Sequence, residues 1–172
     1  MKSIIIYSTT DGHTKKISEF IMSNSYRNKF DIASIDEASN INLNNYDLIV
    51  IGASIRYGKH NKKVYKYINK NLNIINKKKN AFFSVNVVAR KLEKSTVKSN
   101  PYIIKFLKKT SWLPMRIDVF AGKVDYPNYN FVNKIIIRLI MYITNGPTNT
   151  NQSYEFTNWS DIKSFISQID SI

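Results

Sequence analysis

Ser8, Thr9, Thr10, Asp11, Gly12, His13 and Thr14 bring four hydroxyls and one glycine into a short stretch with no Lys or Arg. An apolar run, Ile4 to Tyr7, leads into it, and Ile17, Phe20 and Ile21 follow at i, i+3, i+4, the spacing of a helix. Strand, hydroxyl-rich turn and helix in that order build an anion site. The backbone N–H groups of the turn and the positive end of the helix converge on one spot. So many neutral donors suit a phosphate monoester. A triphosphate loop would carry Gly-x-x-x-x-Gly-Lys-Ser/Thr and a dinucleotide turn Gly-x-Gly-x-x-Gly, and neither pattern is present. The plainer alternative is a Ser/Thr turn that only caps the helix. His13, at the helix start, suits a structural or phosphate-contacting role better than proton transfer. His60 reads as a surface residue near a second helix start.

Composition narrows the chemistry. The 172 residues contain no Cys and only two His, which removes thiol catalysis, disulfides and Cys-ligated metal centres. No metal site is expected. Redox chemistry would need an organic cofactor. The net charge of +14 is uneven: residues 48–154 carry twenty Lys/Arg against Glu93, Asp118 and Asp125. That excess points to an anionic partner, although seven lysines between Lys62 and Lys79 also fit the solvated face of one helix. Nucleic acid is not the expected partner, because no helix-turn-helix or RRM pattern accompanies the charge. Met1 to Tyr7 is too short an apolar run for a signal peptide, and a cytoplasmic chain is expected.

The elements that must position these residues alternate. Strands are expected at Ile4–Tyr7, Phe30–Ile35, Asp47–Gly52 (stopped by Gly52), Ala81–Val85 and Arg116–Ala121. Helices carry Val64, Ile68, Leu72 and Ile75, then Tyr102, Ile103, Phe106 and Leu107, then Trp159, Ile162, Phe165, Ile166 and Ile169 on one face, the last starting at a Thr157 cap. Five alternations call for an α/β fold, a doubly wound five-stranded parallel sheet in one domain spanning 1–172. The turns at 8–14, 54–58, 86–91 and 122–129 all follow strands, so they share the C-terminal edge where ligands sit. Residues 123–156 form a long insert before the last helix. Within it, Phe131 to Ile143 is apolar nearly all round, with Asn130, Lys134 and Arg138 in one polar stripe. Thirteen helical residues span about 20 Å, short of the roughly 30 Å hydrocarbon core. Such a helix can lie on an anionic membrane surface through Phe131, Ile136 and Ile140, with Lys134 and Arg138 toward lipid phosphates. The alternative is burial in the domain or in a dimer interface.

The hydroxyl-rich turn resembles the FMN phosphate loop of flavodoxins, and the fold is accordingly expected to be flavodoxin-like. An FMN would then be held by Ser8, Thr9, Thr10, Asp11, Gly12, His13 and Thr14. Its ring would be walled by Tyr57 within Ser54, Ile55, Arg56, Tyr57 and Gly58, and met at its pyrimidine edge by amides of Asn86, Val87, Val88 and Ala89. Arg90, Lys91, Arg116 and Lys123 are candidates for binding substrate carboxylates.

Longer strings are more specific. Thr10 to Thr14, Ile51 to Gly58, Ser84 to Lys91, Ala121-Gly122 with Tyr126-Pro127, Leu139 to Met141 and Thr157 to Trp159 resemble the flavodoxin-like protoporphyrinogen oxidases of bacterial haem biosynthesis. The resemblance runs in order over almost the whole chain. It implies oxidation of protoporphyrinogen IX by FMN in three two-electron rounds and reoxidation of the flavin by menaquinone or ubiquinone. It also implies a peripheral location at the cytoplasmic face of the inner membrane, served by the insert. His13 stands where the family more often has Gln, and Leu92 replaces a Pro. A flavodoxin-type electron carrier and an NAD(P)H:quinone reductase of the same fold are the rival readings. The basic, apolar insert weighs against the carrier.

Overall fold

The computed structural model describes all residues from Met1 to Ile172. In chain order the elements are β1 (Lys2–Ser8), α1 (His13–Asn24), β2 (Lys29–Ser34), β3 (Leu48–Arg56), β4 (Lys59–His60), α2 (Lys62–Lys77) and β5 (Lys79–Asn86). There follow α3 (Pro101–Lys109), β6 (Arg116–Ala121), β7 (Lys123–Asp125), α4 (Phe131–Ile143), β8 (Ser153–Glu155) and α5 (Trp159–Asp170). The five long strands pair in parallel in the order β2-β1-β3-β5-β6, the doubly wound flavodoxin-like arrangement.

Side chains alternate across the strands and build two layers. Ile49, Ile51 and Ala53 of β3 join Val64 and Ile68 of α2 and Ile103 and Phe106 of α3. Leu48 and Val50 face the other way, onto Ile17 and Ile21 of α1 and Ile162, Phe165 and Ile166 of α5. The helix starts have local causes. Asn100 accepts from the N–H groups of Tyr102 and Ile103 ahead of α3, with Pro101 in the first turn, where its missing N–H costs nothing. Asn158, not Thr157, caps α5 by accepting from Ser160 N–H. The Thr157 hydroxyl is drawn instead to the Ala121 carbonyl at 2.8 Å.

Three expectations are corrected here. Gly52 does not stop β3. The strand runs on to Arg56, and Gly52 is needed because a Cβ there would stand 2.2 Å from Phe83 Cζ on the neighbouring strand. The 54–58 turn thereby shrinks to Tyr57 and Gly58. Both have positive φ, 48° and 73°, and join β3 to the antiparallel β4 by the mirror-image turn that matches strand twist. That hairpin turns His60 inward. It is 5% exposed, packs edge-on to Phe82 and Phe106, and lies 2.9 Å from Ser84 Oγ through Nε2. Arg116 begins β6 and so lies at the N-terminal edge of the sheet, about 20 Å of strand away from the functional turns. Its guanidinium is bonded to the Met115 carbonyl, and it is no candidate for substrate binding there.

Replacing Gly52 with Ala is expected to lower stability by about 1–3 kcal/mol in urea titration, because the Phe83 ring has to move. Burial sets two titrations in opposition. It pushes His60 down to about 4 and Asp118 up to about 6. As pH falls from 6.5 the unfolded chain protonates its His60 first, and stability is lost. As pH falls through 6 the folded chain protonates Asp118 first, and stability is gained. In Asp118→Asn only loss should remain, roughly 2–3 kcal/mol by acid from His60 with a share from His13, which burial also lowers, and in His60→Gln the loss should shrink. Denaturation curves between pH 6.5 and 4.5 read both. Glu37 and Glu155, whose carboxyls are held below their ordinary range in the folded chain, add to the loss at the acid end of that window.

Candidate functional site

The C-terminal ends of β1, β3, β5 and β6 open into one cleft of about 360 Å³. Its lining includes Thr9, Thr10, Asp11, His13 and Thr14 from the first turn, Ser54 and Ile55 from β3, Asn86 and Val87 after β5, and Gly122 and Lys123 after β6. The sheet thus brings together turns that the sequence keeps more than a hundred residues apart. Gly122 allows the close approach. A Cβ there would press on Val85 Cγ1 at 3.3 Å.

The helix start in this cleft is open. Gly12 takes the cap position in the left-handed region, φ 80°, and no side chain caps α1. The reading in which the Ser/Thr residues serve only as a helix cap therefore fails. Thr9 Oγ1, Thr14 Oγ1 and Asn86 Nδ2 are buried and have no hydrogen-bond partner; all three residues line this cleft, and only the Tyr67 hydroxyl elsewhere shares that state. Each such orphan costs about 1–3 kcal/mol. A ligand with a phosphate and a ring edge rich in acceptors would relieve all three, and the residues present fit FMN on that ground.

The remaining turn residues mainly hold this arrangement in place. The Thr157 hydroxyl gives its proton to Ala121, so at 2.6 Å from His13 it accepts from Nε2–H. His13, 8% exposed and with its pKa lowered by burial, is a neutral strut between the start of α1 and the segment entering α5. Thr157 had no signal in the sequence beyond that of a helix cap. Ser54 Oγ points at the Ser8 carbonyl, 3.4 Å away. Asn86 Oδ1 accepts from Ala89 N–H at 3.0 Å, which closes a 3₁₀ turn over Val87–Arg90. Ala89 is buried and its amide is taken, so it does not offer a donor to a ring edge as expected. Asn86 Nδ2 and Val87 remain on the cleft.

The first turn, the hairpin and the insert are clasped together. Arg56 Nη1 donates to Asp11 Oδ2 at 2.7 Å, Tyr129 OH donates to the same oxygen at 3.2 Å, and the guanidinium carbon lies 5.1 Å from the ring centres of both Tyr57 and Tyr129. Asp11 is thus paired with a cation where the cleft meets the chamber beside it. Tyr57 is held by its hydroxyl donating to Asn133 Oδ1 on α4. Tyr129 and Asn133 were missed by the sequence reading, since nothing in their neighbourhood signals a partner 118 or 76 residues away.

The far end of α4 is fixed as firmly. Asn145, at φ 53°, lets Gly146 N–H reach Met141 O at 2.7 Å and Asn145 N–H reach Tyr142 O at 3.2 Å, a Schellman ending. Arg90 Nη2 donates to Thr144 O and Oγ1 at 2.8 and 2.9 Å, and Nη1 to Val87 O at 3.0 Å. A Cβ on Gly146 would stand 2.8 Å from that Nη2. Arg90 is therefore a staple for the insert rather than the free carboxylate clamp expected of it. Lys91 lines neither the cleft nor the chamber beside it. Lys123 lines both, 2.8 Å from Asp125, whose carboxyl it and Ser153 hold down to about 2.

The chamber, about 500 Å³, shares Asp11, Ile55, Val87 and Lys123 with the cleft and is otherwise mostly apolar. Val88, Val124, Ile137, Ile140 and Met141 line it, so α4 forms its roof. Only Met141 of α4 is buried; Phe131, Val132, Ile135, Ile136, Leu139, Tyr142 and Ile143 are exposed. The helix is not buried in the domain. Ile140 faces the chamber, at the edge of the outward apolar face. No helix of the chain is long and apolar enough to cross a membrane.

Comparison with known proteins agrees with this geometry. Residues 4–151 match the family model described as a flavodoxin domain. The chain is 37% identical over 171 residues to a protein of Escherichia coli strain K12 named protoporphyrinogen IX dehydrogenase [quinone], covering 98% of this chain and 94% of that one. It is also 37% identical to a Leishmania major protein of the same name, over 96% of this chain and 73% of the relative. Among solved structures, a cysteine-to-serine mutant of a Pseudomonas aeruginosa flavodoxin superposes with a TM-score of 0.52 at 8% identity, over 99% of this chain and 97% of that one, a likeness of fold. With an open α1 terminus over three orphaned donors and matches that span nearly its whole length, this chain belongs to the flavodoxin-domain family and, within it, to the family of the quinone-dependent protoporphyrinogen IX dehydrogenases.

Proposed function

We propose that this chain binds FMN in the cleft and oxidises protoporphyrinogen IX to protoporphyrin IX, passing electrons to a membrane quinone. The observation that carries the reading is the junction of two unlike spaces: a cleft with orphaned polar donors, opening directly into an apolar chamber roofed by the insert. The relatives' names supply the reaction.

When bound, FMN supplies the two-electron chemistry that no side chain of this Cys-free protein can provide. The chain's own part is to bind, orient and keep dry. The hydroxyls of Thr9 and Thr14, with the uncapped N–H groups of α1, would hold the phosphate. Asn86 Nδ2 would meet the ring edge, and Tyr57, locked to α4 through Asn133, would wall the ring. Ile137, Ile140, Met141, Val88 and Val124 exclude water from the reacting face. Arg56 and Lys123 stand at the chamber wall as the cations available to a porphyrinogen's carboxylates, each already balanced by an aspartate.

The outward side of α4 completes the proposal: a peripheral protein at the cytoplasmic face of the inner membrane, where both quinone and hydrophobic substrate are found. Seven exposed apolar side chains and Ile140 cover that face, with Lys134 and Arg138 along one edge.

The direct test adds protoporphyrinogen IX and quinone to the FMN-loaded chain and follows porphyrin fluorescence. Rapid porphyrin formation that depends on flavin is expected, and consumption of NAD(P)H in its place would overturn the reading. In Thr14→Val, FMN affinity should fall by about 1–3 kcal/mol with the flavin-free chain no less stable, because an orphaned hydroxyl is removed. For the membrane, Ile135→Asp with Leu139→Asp should release the chain from vesicles containing anionic lipid. Retention after a high-salt wash would show that α4 is not the contact.

A further inference from the structure

A second hollow, about 530 Å³, lies behind the β3–β4 hairpin in the groove between α2 and α3. Lys59, Lys62, Lys105 and Lys109 converge on it, beside the rings of Tyr65 and Tyr102. No acidic residue lines it, and none of the four lysines is in an ion pair, whereas the next lysine along, Lys63, pairs with Asp36. Lys105 and Lys109 sit one turn apart on α3 and so share a face. Lys109 Nζ stands 5.9 Å above the Tyr65 ring. The floor is closed by His60, bonded to Ser84, with the Tyr65 hydroxyl 3.5 Å from its other nitrogen.

A general surplus of lysine explains ammonium groups spread over solvated faces. It does not single out four lysines lining one concave site beside two tyrosines, with no carboxylate among them. A counter-charge from outside the chain would balance this local excess, which no acidic side chain of the chain meets. Lys suits such a role as a compact point charge on a long stem that can follow its ligand.

We propose that this hollow is a binding site for an oxyanion, a phosphate or carboxylate group, on a ligand whose body lies against Tyr65 and Tyr102. It is separate from the cleft of the proposed function, whose orphaned donors are neutral and with which it shares only Ile55. The inference therefore stands whether or not the porphyrinogen reading does.

The test titrates the FMN-loaded chain, freed of unbound flavin, with inorganic phosphate in about 150 mM salt, by calorimetry. Saturable binding at one site is expected. Lys105→Gln with Lys109→Gln should weaken it by about tenfold, while Lys66→Gln with Lys70→Gln, an equal loss of charge on the exposed side of α2, should change it less than about twofold. No saturable binding, or equal loss in the two pairs, would overturn the site in favour of diffuse charge. A second arm uses phosphatidylglycerol vesicles and separates the two sources. Loss of vesicle binding in the Lys105/Lys109 pair identifies a lipid headgroup as the oxyanion, and retained vesicle binding with lost phosphate binding identifies a soluble anion; both support the site. Failure of the flavin reading would appear separately, as a chain that never takes up FMN.

Discussion

The unsatisfied start of α1 is the constraint around which the molecule is arranged. A helix leaves its first N–H groups without partners, and most sequences answer with a side-chain cap. Here glycine holds the cap position and the nearby hydroxyls stay unbonded. The cost of these orphans is tolerable because β1, β3 and β5 are closely packed beneath them. Ile5, Ile51 and Phe83 have no exposed surface at all. A rigid sheet edge can hold polar groups in readiness that a looser one would let collapse onto each other.

The insert depends on that edge and completes it. Its two attachments differ in kind. At one end a charge and ring stack joins Asp11, Arg56, Tyr57 and Tyr129, and at the other Arg90 grips the Thr144 carbonyl just past α4, beside a glycine that leaves it room. Between these points α4 contributes one buried residue and a few chamber-lining side chains, and presents the rest of an apolar surface outward. Nothing within the chain requires so much exposed Ile, Leu and Phe. A membrane surface accounts for it under the function proposed here, and it accounts as well for an apolar chamber placed directly beneath the same helix.

The charge divides into parts with different physical meaning. Arg56, Arg90 and Lys123 are drawn into the scaffold of the site, where each has partners. Lys59, Lys62, Lys105 and Lys109 have none among the acidic residues and surround a hollow of their own. Most of the remaining lysines of α2 are solvated. Net charge alone does not separate these groups, because the distinction is one of burial and convergence.

The amino-acid sequence by itself determined the alternation of elements, the span of α3, β6 and α4, and the four turns that meet at one edge, since local periodicity and turn composition act over a few residues. It also carried the family, through strings such as Ile51 to Gly58. What only the tertiary structure decided were matters of distance and direction. Gly52 continues a strand because a ring on the adjacent strand occupies its Cβ position. His60 is buried because a two-residue turn folds it back. Arg116 is at the wrong edge because a parallel strand begins there, and Ala89 is silent because its neighbour's side chain takes its amide. Tyr129, Asn133 and Thr157 enter the site through contacts across 76 to 144 residues. Such partnerships leave no local pattern, because they exist only once the sheet has brought the separate turns together.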